Sequence, residues 1–139
     1  IAGDGPLREQ LQNRYVHDSR IVILPYMSDK AELATLLASG DIYVTAGPHE
    51  TFGLSVLEAQ ACGLPVVGVR AGALTERVRP SFGLLGKPDN VEQFAKNIVT
   101  LSKTGFREMG MKAREHVEST YSWKKTFNRI FNHYNTLFS

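Results

Sequence analysis

The sequence predicts an α/β fold, a Rossmann-like parallel sheet with helices on both faces, followed by C-terminal helices. Short apolar runs rich in β-branched residues, which are typical of buried strands, alternate with segments of helical periodicity. The connections are short, and parallel strands need such helical crossovers to join them. At 139 residues the chain is long enough for one domain with a real core.

Four apolar runs predict the strands, at positions 20–24, 42–46, 65–69 and 83–85. Four helices are predicted among them: after Pro6, after a cap at Ser28, from about 54 to 62, and near 74–78. Three more follow towards the C-terminal end: one capped by Asn90, one at about 105–119, and a strongly amphipathic one from Ser122.

The loops after the predicted strands indicate where a ligand binds. Ligands of open parallel sheets bind at the C-terminal ends of the strands. We therefore expect four loops to face one cleft, and these are 3–5, 25–27, 46–53 and 70–72. A dinucleotide fingerprint is disfavoured there, because Arg8 stands where the third glycine would be.

Composition excludes several classes of function. The net charge of +2 is too small to indicate a nucleic-acid partner, and the single cysteine excludes an internal disulfide. Because no His/Asp/Glu cluster has metal-ligand spacing, we expect no metal and no cofactor. The sequence has no apolar run of transmembrane length and no signal peptide, so a cytoplasmic location is expected.

The stretch from His49 to Val67 carries the candidate site. It predicts a loop, a helix starting near Thr51 and Gly53, a Gly-Leu-Pro break and a buried strand. The start of such a helix favours anions through its free N–H groups and its dipole. Glu50 and Glu58 flank this start at most about 12 Å apart, a separation that suits the two sugar ends of a nucleotide sugar. The alternative is an ordinary solvent-facing glutamate pair.

The ordered motifs resemble those of a known family. Glu50-x7-Glu58, with Phe52-Gly53-Leu54 inside it and 61–67 after it, resembles the donor-binding signature of retaining GT-B glycosyltransferases of family 4. The segments 2–7, 71–76 and 83–85 resemble further landmarks, in the family's order. The resemblance implies a nucleotide-sugar-binding C-terminal domain that covers residues 1–139, without a metal. It implies retaining transfer of a hexose from a UDP- or GDP-sugar to a glycan or lipid acceptor.

The same resemblance implies a role for individual residues. Glu50 would be catalytic, holding the donor sugar and stabilising the charge that develops as the glycosidic bond breaks. The amides of Phe52, Gly53 and Leu54 would bind the β-phosphate, and Glu58 would bind the ribose. The remaining donor-binding candidates are Thr51 at the helix start, the nucleobase loop Tyr26–Met27, Gly3 and His49. The alternative interpretation of His49 is a solvent-facing loop histidine.

Further expectations concern the parts outside this motif. Ile1-Ala2 reads as a strand cut in mid-course, which predicts a truncated domain whose acceptor site belongs to an absent N-terminal domain. Residues 122–138 are expected to pack towards that domain, and the fragment alone to be inactive. Between residues 103 and 129, seven Lys/Arg and three Glu give a local charge of +4. Such a face is usually just solvated, and the minority interpretation is peripheral association with the inner face of a membrane.

Two single residues and two rival functions stay open. Arg70 is a rim residue or a phosphate contact, and Cys62 is interpreted as a small buried apolar residue of the helix. The first rival is an epimerase or hydrolase of the same GT-B architecture. The second is a non-catalytic interaction module on a degenerate transferase fold, which the intact Glu50 and Glu58 disfavour.

Overall fold

The computed structural model describes residues 1–138, which form two compact units, Ile1–Thr35 and a larger one beginning at Leu36. The smaller unit contains helix α1 (Arg8–Arg14), and helix α2 (Lys30–Ala38) runs from it into the larger unit. Asp29 caps α2, because its Oδ1 accepts hydrogen bonds from the Ala31 and Glu32 amides at 2.7 and 3.0 Å. The predicted cap at Ser28 was wrong by one residue, since the N-cap immediately precedes the first helical residue.

The predicted buried strand at 20–24 was also wrong in extent. Within the smaller unit this segment forms only a single parallel bridge, between Ala2 and Leu24, and Val22 is 58% exposed. A strand that pairs along one short edge is not covered on both faces, so Val22 is exposed and Ile21 and Ile23 are only half-buried. The carboxylate of Asp4 holds the neighbouring loops, accepting hydrogen bonds from Arg8 at 2.7 Å and from the Tyr26 amide at 2.9 Å.

The larger unit confirms the predicted parallel sheet. Its strands are β1 (Tyr43–Val44), β2 (Val66–Val69) and β3 (Gly83–Gly86), in the order β1-β2-β3. Both pairs are parallel, with Tyr43 opposite Val66 and Val66 opposite Gly83. The central strand β2 is buried along its whole length, which explains its continuous apolar run.

Five helices of the larger unit follow β1, and they are α3 (Leu54–Ala61), α4 (Leu74–Arg77), α5 (Val91–Lys103), α6 (Phe106–Tyr121) and α7 (Trp123–Leu137). The predicted cap of α5 is confirmed, because the Asn90 side chain accepts a hydrogen bond from the Gln93 amide at 2.8 Å. A core cluster of Val56, Val66, Leu74 and Val78 joins α3, β2 and α4. This cluster fixes the loops that precede α3 and α4.

The last helix, α7, leaves an apolar stripe uncovered. Every residue between Trp123 and Leu137 is exposed or half-buried, with Trp123 76% and Phe131 61% exposed. Rings stack along this stripe, with centroids 5.7 Å apart for Trp123 and Phe127 and 6.4 Å apart for Phe127 and Phe131. Within residues 1–138, no helix combines the length and apolarity that crossing a bilayer demands.

Substitution of Gly110 should destabilise the packing of α6. An added Cβ would overlap the carbonyl oxygen of Gly63, so the helix would have to move. We expect Gly110→Ala to lower the free energy of unfolding by about 2 kcal/mol or more, measured by urea denaturation. The control is Gly105→Ala, where the nearest atoms would be 4.0 Å away. Equal stability of the two variants would contradict the close approach of α6.

Protonation of His116 on α6 should also lower stability. Its ring stacks on Phe82 with centroids 5.1 Å apart, and it meets Tyr121 edge-on at 5.8 Å. Burial lowers the pKa of His116 below its ordinary 6.5, and the charge of Arg79 lowers it further. The unfolded chain therefore binds this proton more strongly, so stability is full above about pH 6.5 and falls as the pH drops through the folded pKa.

Thermal unfolding between pH 7.5 and 5 measures this effect. The melting temperature of the wild type should fall more steeply below pH 6.5 than that of His116→Gln, which cannot titrate there. Parallel curves for the two proteins would show that His116 carries no such proton linkage.

Candidate functional site

The candidate site is built around the Glu50 loop, residues 48–53, which connects β1 to α3. Gly53 is the N-cap of α3 and adopts a φ of 81°, a conformation that side chains disfavour. Because the cap is a glycine, no N-cap side chain accepts hydrogen bonds from the first-turn amides of α3. Those amides and the helix dipole make the tip of α3 suitable for an anion.

Glu50 is held at both its backbone and its side chain. Its carbonyl oxygen accepts a hydrogen bond from the Ala73 amide at 2.9 Å, and its Oε1 accepts one from the Gly53 amide at 2.9 Å. Gly72, at a φ of 51°, packs so closely that an added Cβ would lie 2.5 Å from the Glu50 carbonyl oxygen. One of the three amides predicted to bind phosphate is therefore already bonded to Glu50.

A cavity of about 630 Å³ opens beside this loop, a volume within the range of small-molecule sites. Residues of the Glu50 loop and of the segment that precedes and forms α4 line it, and they are Pro48, His49, Glu50, Thr51, Gly72, Ala73, Glu76 and Arg77. The structure thus brings together three of the predicted site residues, His49, Glu50 and Thr51. Phe52, Gly53 and Leu54 adjoin them in sequence at the start of α3, with Phe52 and Leu54 exposed.

Glu58 lies on α3 outside the residues that line this cavity. It is half-buried and shares a helix face with Cys62, four positions later. The pKa of the Cys62 thiol is raised, by burial first and by the charge of Glu58 as well, while Arg114 on α6 partly offsets the shift. Cys62 is half-buried and favours its neutral thiol. That Glu50 and Glu58 bind the same nucleotide sugar stays a prediction.

Gly3, Tyr26 and Met27 belong to the smaller unit. Gly3 adopts a φ of 145°, Tyr26 is exposed and Met27 is half-buried. The Asp4 carboxylate accepts a hydrogen bond from the Tyr26 amide, and this bond holds the start of the Tyr26–Met27 loop to the loop of residues 3–5. The donor-binding roles of these three residues also stay predictions.

Sequence reasoning missed Arg77, the last residue of α4. Its Nε donates to the Phe52 carbonyl oxygen at 2.9 Å, and its Nη1 donates to the Tyr121 hydroxyl at 2.9 Å. Its guanidinium also lies over both rings, 4.8 Å from the Phe52 centroid and 4.9 Å from that of Tyr121. No local pattern signals these contacts, because Tyr121 lies 44 positions away.

Gln60 joins the same network from inside α3. It is fully buried, and its Nε2 donates to the Arg77 carbonyl oxygen at 2.8 Å, while its Oε1 has no hydrogen-bond partner among residues 1–138. This bond fixes the backbone of α4 to α3. Arg70, the other cation considered for phosphate, is exposed, with its amide bonded to Gly86. Among residues 1–138, no three His, Cys, Asp or Glu side chains are grouped so that they could hold a metal ion.

Comparisons with known proteins identify the family. Residues 1–104 match the sequence profile described as "Glycosyl transferases group 1". The chain is 37% identical over 127 residues to a GDP-mannose-dependent alpha-(1-6)-phosphatidylinositol dimannoside mannosyltransferase of Mycobacterium tuberculosis. It is 34% identical over 136 residues to the sulfoquinovosyl transferase SQD2 of Arabidopsis thaliana. The alignments cover 90% and 94% of this chain but only 32% and 26% of those relatives.

Solved structures share the fold. Sucrose-phosphate synthase of Thermosynechococcus elongatus superposes with a TM-score of 0.79 at 28% identity, over 98% of this chain and 37% of that one. HepE of Anabaena, solved in complex with UDP, gives a TM-score of 0.81 at 22% identity, over 97% of this chain and 40% of its own.

The C-terminal domain of a glycosyl transferase group 1 protein from Francisella tularensis gives a TM-score of 0.70 at 26% identity, over 83% of this chain and 60% of that one. The chain therefore belongs to the glycosyl transferases group 1 family, and its fold is that of the C-terminal domain of a GT-B enzyme.

Proposed function

We propose that this chain is the nucleotide-sugar-binding domain of a retaining, metal-independent glycosyltransferase that transfers a hexose from a UDP- or GDP-sugar. The observation that carries the proposal is the position of Glu50, whose carboxylate lies at the tip of α3 and borders the 630 Å³ cavity. A helix tip and an adjacent carboxylate match the two parts of a nucleotide sugar, its anionic diphosphate and its hydroxyl-rich ring.

The hydrogen bond between Glu50 and Gly53 implies an order in which the parts of the donor bind, the diphosphate first and the sugar second. A diphosphate that reaches the tip of α3 competes for the Gly53 amide and repels the Glu50 carboxylate. The carboxylate then turns towards the cavity, where it accepts hydrogen bonds from sugar hydroxyls. As the glycosidic bond breaks, Glu50 stabilises the developing positive charge, and the amides of α3 stabilise the departing diphosphate. Glu58 holds the ribose.

Relatives support the class of donor and acceptor. The mycobacterial relative is named as GDP-mannose-dependent, and HepE was solved with UDP, so the feature their ligands share is a nucleoside diphosphate. The acceptor named for the mycobacterial relative is a phosphatidylinositol dimannoside, a glycolipid. A glycan or lipid acceptor is accordingly proposed here, bound through a separate N-terminal domain.

The exposed apolar stripe of α7 is consistent with a separate N-terminal domain. We place residues 122–138 against that domain, because a contiguous exposed apolar surface is unfavourable in water. The complete enzyme then works in the cytoplasm, at the inner face of the membrane if its acceptor is a lipid. The polar side of α7 carries Lys124, Lys125 and Arg129, which suit an anionic membrane surface as the second candidate.

Titration of the chain with UDP, GDP and their sugar conjugates tests the two carboxylates. Glu58→Ala should weaken the binding of every nucleotide by about 1.5–3 kcal/mol, the cost of one charge-assisted hydrogen bond. Glu50→Gln should weaken the binding of the sugar conjugates but not that of free UDP or GDP, because the substitution keeps the side-chain shape and removes a negative charge beside the diphosphate. The control is Glu115→Ala, an exposed glutamate of α6.

Two results would count against the proposal. Absence of binding by every nucleotide would favour the non-catalytic module. Turnover of a nucleotide sugar by the 139-residue chain, above the hydrolysis background, would contradict the assignment of the acceptor site to a separate domain.

A further inference from the structure

Three elements meet at the side chain of Arg77. The guanidinium lies over the Phe52 ring of the Glu50 loop and over the Tyr121 ring at the end of α6, at centroid distances of 4.8 and 4.9 Å. It donates one hydrogen bond to each of these residues, and its side chain is only 11% exposed. A guanidinium that contacts two aromatic rings and donates two hydrogen bonds has little freedom to reorient.

The contact to Phe52 is made at the backbone, so it constrains the loop itself. The Glu50 loop is fastened on one side by the Ala73 amide and internally by the Gly53 amide. The bond from Arg77 to the Phe52 carbonyl fastens the third point, next to the helix tip. The side chain of Arg77 also packs under Gly53, where an added Cβ would lie 3.2 Å from its Cγ.

From this geometry we propose that Arg77 is a positioning residue for nucleotide-sugar binding, acting through the Glu50 loop and anchored by Tyr121. The inference rests on the proposed function for its consequence, but the arrangement of the loop stands on the contacts alone. Arg77 fixes the Phe52 carbonyl, which fixes the direction of the first-turn amides of α3 and the reach of the Glu50 carboxylate. Tyr121 connects this loop to the junction of α6 and α7.

The proposal requires arginine at this position. A lysine ammonium is a compact charge without a planar group, so it cannot stack on both rings while it bonds the Phe52 carbonyl and the Tyr121 hydroxyl. Arg77→Lys should therefore behave like Arg77→Gln, although it keeps the charge. Tyr121→Phe keeps the ring and removes one acceptor, so its effect should be intermediate. The charge-matched control is Arg79→Gln, two positions later and exposed.

Hydrogen exchange of the 139-residue chain tests the positioning directly. The amides of Gly53 and Ala73 both donate to Glu50, so they report the order of the loop. In Arg77→Gln and Arg77→Lys these two amides should exchange about tenfold faster relative to the amides of α5 than in the wild type. Titration of the same variants with UDP-glucose and GDP-mannose should show about tenfold weaker binding of whichever conjugate the wild type binds.

The exchange measurement tests the positioning role of Arg77, and the titration tests the proposed function, so failure of one can be told from failure of the other. If the wild type binds neither conjugate, the donor-binding consequence is overturned, and the exchange arm still decides the role of Arg77 in the loop. Unchanged exchange at Gly53 and Ala73 would overturn the positioning role, because the loop would then not depend on Arg77. An equal increase across α5 would also overturn it, because a general loss of stability affects all amides alike. Full recovery of exchange and binding in Arg77→Lys would also overturn it.

Discussion

The arrangement of the site depends on the hydrogen bonds that hold Glu50 at the start of α3. Its carbonyl and its carboxylate each accept one amide, from Ala73 and Gly53 respectively. Gly72 permits the close approach that the first bond needs, since a side chain there would collide with the Glu50 carbonyl. The Ala73 bond thus holds the backbone of the loop before any ligand arrives, whereas the Glu50–Gly53 bond is the contact that a diphosphate would replace in the proposed function.

The Glu50 carboxylate accepts a hydrogen bond from the Gly53 amide, which is one of the amides proposed to bind phosphate. In the free protein Glu50 satisfies the Gly53 donor, so the site does not leave that group unpaired. In the proposed function, a bound diphosphate would replace this contact and leave the carboxylate to the sugar. The hydrogen bonds continue from the Glu50 loop to Arg77 and Tyr121, and Tyr121 lies at the end of α6. The Glu50 loop is therefore connected to the part of the chain from which α7 begins.

Local patterns predicted much of this. The parallel sheet, the Asn90 cap and the helix that Gly53 precedes as its N-cap all follow from periodicity and from residues with strong positional preferences. The strand at 20–24 failed because apolar runs indicate burial only where neighbours exist to cover both faces. Arg77 was out of reach, because its partners Phe52 and Tyr121 are distant in sequence and nothing nearby marks them.

The proposed function requires that the tip of α3 binds a nucleoside diphosphate. Titration of the isotopically labelled 139-residue chain with UDP and GDP, followed by amide chemical shifts, measures this binding residue by residue. We expect the largest, saturable shifts at Phe52, Gly53 and Leu54, with the Gly53 amide changing its hydrogen-bond partner. Saturable shifts confined to residues away from the Glu50 loop, or none with either nucleotide, would contradict it.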